Sequence, residues 1–310
     1  MRTKPYISAD IGGSHITSVA INPDTKHIIE GTHANRQVDN KGTVESIIAT
    51  WSTCLKETIT KAGGISGIGF AMPGPFDYYS GISKIKGVNK YESLYGINIR
   101  QAIQKALSLD DSFPIRFVND ATAFAMGEAW GGIAAQHKKI MAITLGTGFG
   151  SAFLNNGLPV IDGSTVPKLG CVYHIPYQDG IADDYFSTRW FVDTFNKLSK
   201  TPVEGVKEIA QLANAGHIDA INLFDRFGKN LAEFLLEWIK KFNVEGLIIG
   251  GNISNAGSLF IPQMEKVFLA NKLTTQINIS ELKEDAALLG AAHLVDDTYY
   301  QHIAPLLKLM

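Results

Sequence analysis

Two aspartates and three glycine turns hold most of the chemical potential of this sequence. Asp120 follows Asn119 where the apolar run Ile115-Arg116-Phe117-Val118 gives way to the Ala-rich segment Ala121 to Met126. A short apolar run between Pro114 and an acidic pair reads as a buried strand, and the segment after it as a helix. Asp120 therefore falls at a strand-to-helix corner. In open α/β sheets, ligands bind at the carboxyl ends of strands, and a carboxylate placed there can take a proton from a hydroxyl within hydrogen-bond reach. Asn119 or Asp120 could instead serve only as the helix cap. Asp10 stands at the mouth of the Gly12-Gly13 turn, where paired glycines let another group approach the main chain closely.

The glycine pattern repeats. Ser8-Ala9-Asp10-Ile11-Gly12-Gly13-Ser14 and Ile143-Thr144-Leu145-Gly146-Thr147-Gly148-Phe149-Gly150 are one construction used twice: a strand, a glycine hairpin and a returning strand. Internal duplication at domain scale explains this. A third turn, Gly250-Gly251-Asn252, ends the apolar run Gly246 to Ile249. Consecutive backbone N–H groups in such turns form nests for phosphate oxygens. Neither hairpin has the Lys of a Walker loop or opens a helix as a dinucleotide fingerprint does. A nest without a fixed lysine suits a magnesium-bound phosphate.

The elements that must position these residues follow from periodicity. Strands are expected at Tyr6–Ile11, 14–21, 27–33, 67–72, 140–145, 151–154, 246–249 and 276–279, the first three as a β-meander. Val44, Ile47, Ile48, Trp51, Leu55 and Ile59 recur at helical spacing and mark an amphipathic helix, whose role is core packing. Further helices are expected at 98–107, around Val192 and Phe195, from Ile218 to Phe242 with Ile218 and Trp238 on its buried face, at 259–270 and at 285–295. Residues 155–184 read as loops around a site.

Composition narrows the class. The 310 residues are 45% hydrophobic and 19% charged with a net charge of −2, an ordinary globular balance long enough for two domains. That charge gives no reason to expect nucleic acid or an anionic membrane as partner. Two cysteines, Cys54 and Cys171, make no disulfide framework. The stretch Met1 to Pro5 lacks a secretory core and cleavage site, and no apolar run is long enough to span a bilayer, so the expected location is the cytoplasm.

Asp10-Ile11-Gly12-Gly13-Ser14, Asn119-Asp120-Ala121, Leu145-Gly146-Thr147-Gly148-Phe149-Gly150 and Ile249-Gly250-Gly251-Asn252, in this order and at these separations, resemble the ROK family of bacterial sugar kinases and related repressors, within the wider actin, hexokinase and Hsp70 fold group. The resemblance runs from Tyr6 to about Val295. It implies an α/β chain of two ribonuclease H-like domains with a cleft between them. The smaller domain would span 1–118, with a C-terminal helix at about 284–310 packing back on it, and the larger one 119–283. The implied activity is transfer of the γ-phosphate of ATP to a sugar hydroxyl, with Asp120 as the base. Asp10 matches the residue acting near magnesium through water. Gly12, Gly13, Ser14, Gly146, Thr147 and Gly148 would hold phosphates, and Gly250, Gly251 and Asn252 would border the adenosine. Gly74, Asn89, Asn119, His174 and Asp183 match sugar-side positions. A homodimer is also expected from the resemblance.

The departures lie around His174. Typical members place a Glu three residues before that His, and a Cys-x-Cys-Gly-x-x-Gly-Cys segment that binds zinc with it. Here Cys171 occupies the Glu position, Tyr173 replaces a Gly, and no further cysteine follows. Structural zinc needs four closed ligands, so the family's zinc is expected to be absent. Asp183 is one methylene shorter than its counterpart, which together with Cys171 puts the usual sugar specificity in question. Two readings result: a hexose or amino-sugar kinase, or a non-catalytic sugar-sensing regulator. The repressor branch carries a helix-turn-helix ahead of the kinase-like body, and a first strand at about Tyr6 is expected to leave no room for one.

Overall fold

The computed structural model describes residues 4–199 and 202–310; Met1, Arg2 and Thr3 of the N-terminal stretch lie outside the described residues. The chain forms two compact units. The first runs to Ala135 and regains Gly157–Pro159 and Glu284–Met310; the second comprises Gln136–Asn156 and Val160–Lys283.

The first unit opens with β1 (Tyr6–Ile11), β2 (His15–Asn22), β3 (His27–Ile28), β4 (Ala34–Gln37), α1 (Val44–Ala62), β5 (Gly67–Met72) and the small hairpin β6 (Phe76–Asp77) and β7 (Ile82–Ser83). It continues through α2 (Ile99–Leu107), β8 (Ile115–Asn119) and α3 (Asp120–Gly131). The sheet order is β3-β2-β1-β5-β8, with β4 also on β2. β1 and β2 pair antiparallel, whereas β1, β5 and β8 run parallel. Thr43 caps α1 through the Ser46 N–H and Gly63 closes it in the left-handed region, so Ile47, Ile48, Trp51 and Leu55 turn one apolar face onto the sheet, as their spacing requires.

In the second unit, β9 (Lys139–Leu145) and β10 (Phe149–Asn155) form an antiparallel hairpin. After β11 (Leu158–Pro159), which belongs to the first unit, come the small hairpin β12 (Pro176–Tyr177) and β13 (Gly180–Ile181), then α4 (Ala182–Tyr185), α5 (Thr188–Leu198), α6 (Val206–Asn214), α7 (Ile218–Phe242), β14 (Gly246–Gly250), α8 (Gly257–Ala270) and β15 (Gln276–Ile279). The order β10-β9-β14-β15, antiparallel and then parallel, repeats β2-β1-β5-β8 of the first unit. The duplication read from the glycine hairpins is thus a duplication of topology. Phe149, Phe153, Phe186, Phe191, Phe224, Phe227 and Phe260 fill the core behind this sheet.

The chain returns to the first unit with α9 (Asp285–His293) and α10 (Asp297–Leu307). α9 packs on β1 and β5, and Ser8 Oγ donates to the Leu288 carbonyl at 2.6 Å.

Four expectations change in detail. The strand at 27–33 ends at Ile28; Gly31 adopts a positive φ of 77°, Thr32 Oγ1 takes the Ala20 N–H, and the chain re-enters the sheet as β4. The C-terminal helix is two helices, because Asp296 caps a new one through the Tyr299 N–H at 2.8 Å. Ile218, at the first turn of α7, is 64% exposed rather than on the buried face. α6, short and preceded by Gly205, was not expected. No helix among the described residues is long and apolar enough to cross a membrane.

Candidate active site

In the first unit, three parallel strands end side by side. Asp10 is level with Ala71, and Ala71 with Val118, so Asp10 and the end of β8 stand two strand spacings apart, about 10 Å. Asp120 begins α3 immediately after β8. Burial, followed by the negative charges of Asp120 and Glu284, pushes the Asp10 carboxyl up to about 7. Burial also raises Asp120, against the pull of the Ala121 N–H, the Lys90 charge and the Asn119 side chain. Asp120 nevertheless keeps a face open to solvent: it is crowded by protein without being sealed off.

The cap at this corner is Asn119. Its Oδ1 accepts from Ala121 N at 3.1 Å and Thr122 N at 3.3 Å, and its Nδ2 donates to the Tyr78 hydroxyl at 3.2 Å. Tyr78 in turn donates to the Met72 carbonyl at 3.2 Å and lies against Gly74, where a Cβ would sit 3.2 Å from its oxygen. One tyrosine thereby ties the Gly74 turn to Asn119. With capping assigned to Asn119, Asp120 meets the helix start through Oδ1, which accepts from Ala121 N at 2.8 Å.

The Gly12-Gly13-Ser14 hairpin has its carbonyls engaged and two N–H groups left over. Gly12 O accepts from the Tyr91 hydroxyl at 2.8 Å, Gly13 O from Asn40 Nδ2, and Ser14 O from Val38 N at 2.8 Å. Gly12 N donates to His15 O, while Gly13 and Ser14 N–H have no partner among the described residues. A turn presenting N–H groups with its carbonyls tied elsewhere is an anion nest. Tyr91 is fully buried against Trp51, and burial with the nearby Asp10 charge pushes its hydroxyl up to about 12. Asn89, two residues earlier, is exposed with φ 58° and donates its N–H to Glu92 Oε1. Tyr91, Asn40, Tyr78 and Lys90 carried no sequence signal, because their partners are distant along the chain.

The second unit repeats the arrangement. Gly146 N donates to Gly148 O at 3.1 Å, Gly146 O accepts from both the N–H and the hydroxyl of Thr188, and Phe149 N donates to Asp183 Oδ1 at 2.7 Å. Thr147 and Gly148 N–H have no partner among the described residues. The Gly250-Gly251-Asn252 turn lies alongside: Gly250 is level with Thr144, and Gly251, at φ 80°, leaves only 2.7 Å between a would-be Cβ and Leu145 N. A side chain there is excluded by both conformation and space. His174 is exposed beside Tyr173, and Cys171 Sγ contacts the Leu169 carbonyl at 3.3 Å.

Asp10 fits magnesium. Its carboxyl feels the negative charges of Asp120 and Glu284 and makes no ion pair among the described residues, and Mg²⁺ is usually held by one or two carboxylates with waters and substrate phosphates. No group of three or more His, Cys, Asp or Glu among the described residues is disposed to hold a metal by itself.

Comparison with known proteins gives consistent matches. The chain is 27% identical to a glucokinase of Thermotoga maritima over 94% of this chain and 97% of that one. It is 25% identical to an N-acetyl-D-glucosamine kinase of Haemophilus influenzae, over 82% and 86%, and 25% identical to a xylose repressor of Caldicellulosiruptor bescii, over 93% and 77%. A solved ROK family glucokinase from Streptomyces griseus, in complex with glucose and AMPPNP, superposes with a TM-score of 0.71 at 21% identity, covering 94% of this chain and 98% of that one. The actin/hexokinase-like fold that the resemblance implies is therefore shared with that solved structure. The ROK family model matches residues 6–298, and the chain belongs to the ROK family.

Proposed function

We propose that this protein transfers the γ-phosphate of ATP to a hydroxyl of a hexose or amino sugar, with Asp120 as general base. The observation that carries the reading is the solvent-reachable Asp120 carboxylate, raised above the ordinary carboxylate range by burial, at the end of a strand two places from the one that ends near Asp10. A raised proton affinity suits a group that must accept the hydroxyl proton as the bond to phosphorus forms. The kinases among the relatives support the same chemistry.

In this reading, the free N–H groups of Gly13 and Ser14, and those of Thr147 and Gly148, bind phosphate oxygens, and Gly250, Gly251 and Asn252 border the adenosine. Gly74, Asn89, Asn119 and His174 face the sugar. Asp10 holds magnesium through water. When bound, the cation supplies charge neutralisation for the phosphate oxygens. Asn119, by capping α3, fixes the backbone from which Asp120 projects. A cytoplasmic homodimer is the expected setting.

Purified protein assayed with magnesium-ATP across hexoses and their N-acetylamino forms tests the reading. ADP release dependent on one sugar is the expected result. A folded sample that binds ATP yet releases no ADP above background with any sugar overturns it in favour of a sensing role.

A further inference from the structure

The side chain expected on the sugar side, Asp183, is engaged elsewhere. Its Oδ1 takes the N–H of Phe149, at the last position of the second glycine hairpin, at 2.7 Å, and lies 3.1 Å from where a Cβ on Gly148 would be. Phe149 is buried and packs edge-on against Phe186, three residues beyond Asp183. From the other end of the same segment, Thr188 gives both its N–H, at 2.8 Å, and its hydroxyl, at 3.0 Å, to the carbonyl of Gly146. Residues 183–188 thus grip the first and last residues of the turn.

The grip selects which backbone groups remain available. Gly146 N–H is spent inside the turn on Gly148 O and Phe149 N–H on Asp183, so Thr147 and Gly148 N–H are left to bind an anion. The carboxylate is itself fixed: Arg189 Nη2 stands 3.6 Å from Asp183 Oδ2 and 3.0 Å from Asp184 Oδ1, and Asp183 N donates to the Tyr173 carbonyl.

We infer that Asp183 is a positioning residue for nucleotide phosphate, holding the Gly146 to Phe149 turn open, and not a sugar-contacting acid. The inference rests on the kinase reading for the identity of the anion. It also places the loss of acidic sugar contacts in this unit at two positions, Cys171 and Asp183, so recognition of the acceptor falls to other residues.

Calorimetric titration with magnesium-ADP separates the two roles. Removing the acceptor in Asp183→Ala orphans a buried N–H, and ADP affinity is expected to fall about tenfold, with the KM for sugar unchanged within about twofold. Asp183→Asn retains an oxygen that can accept from Phe149 N and should recover most of that affinity. A raised sugar KM in both variants, with ADP affinity at the wild-type level, overturns the inference. Should Asp183→Ala fail to fold on thermal melting, Thr188→Val, which removes one bond to Gly146, carries the test: weaker ADP binding at constant sugar KM supports the inference, and unchanged ADP binding overturns it. Wild-type protein that binds ADP but phosphorylates no sugar defeats only the kinase reading, with the ADP arm still deciding Asp183. Wild-type protein that binds no adenine nucleotide overturns both.

Discussion

Gly127 of α3 and Gly290 of α9 meet where the two helices cross, so closely that a Cβ on Gly127 would lie 2.9 Å from Gly290 N and one on Gly290 2.8 Å from Gly127 N. Added carbons would also strike the carbonyl oxygens of Ala286 and Ala123 respectively. The crossing is lined by small residues because backbone touches backbone, and α3 is the helix that begins with Asp120.

Gly127→Ala has no relaxed solution, since the obstacles are main-chain atoms in a packed crossing. The expected loss of stability is about 3 kcal/mol or more, at the upper end for overpacked sites, and denaturant unfolding measures it. Because the same displacement moves the start of α3, turnover should fall even at temperatures where the variant is folded.

Asp120→Asn isolates the chemistry from the fold. Asn can still accept from the Ala121 N–H at the helix start but cannot take a proton, so kcat is expected to fall by about 10²–10⁴ with ADP and sugar affinities little changed. Loss of binding in step with turnover would show that Asp120 positions ligands instead.

Asp10 links the site to pH. Its carboxyl titrates at about 7 against an ordinary 3.8, so between those values the folded state binds more protons than the unfolded one, and stability falls as pH rises through the window. The Asp120 charge adds to the burial that raises Asp10. Asp10→Asn is therefore expected to melt higher than wild type at pH 8, with a smaller difference at pH 5. Magnesium with ADP should raise the wild-type melting temperature more than that of the variant. An identical response in both would place the cation elsewhere.

The sequence revealed most of what lies at strand ends. Asp10, Asp120 and the three glycine turns could be placed because glycine hairpins and a strand-to-helix change are local signals, and because the construction occurs twice. What fastens them was hidden. Tyr91 reaches Gly12 across 79 positions and Asp183 reaches Phe149 across 34, and no periodicity encodes such pairs. The α3–α9 crossing was half visible: Ala123, Gly127, Ala286 and Gly290 are present as small residues, but small residues on two distant segments do not say that they meet. Asp183 shows the same gap, since its bond from Phe149 N is a contact that neither the spacing nor the resemblance named.

His293 gives an acid-side counterpart to Asp10, remote from the reacting groups. It is stacked between Trp130, at 4.4 Å and 7°, and Tyr299, at 3.8 Å and 16°. Burial pulls its imidazole down to about 4, with Asp296 opposing the shift and Lys26 reinforcing it. Between about 6.5 and 4 the unfolded state binds more protons than the folded one, so stability present above the upper value is lost as pH falls through that window. His293→Phe keeps a flat ring in the stack and removes the titration. The stability difference between variant and wild type, measured by urea unfolding, should therefore shift in the variant's favour by about 2–3 kcal/mol from pH 7 to pH 4. A difference independent of pH would mean that the imidazole takes up its proton within the stack as readily as it does in water.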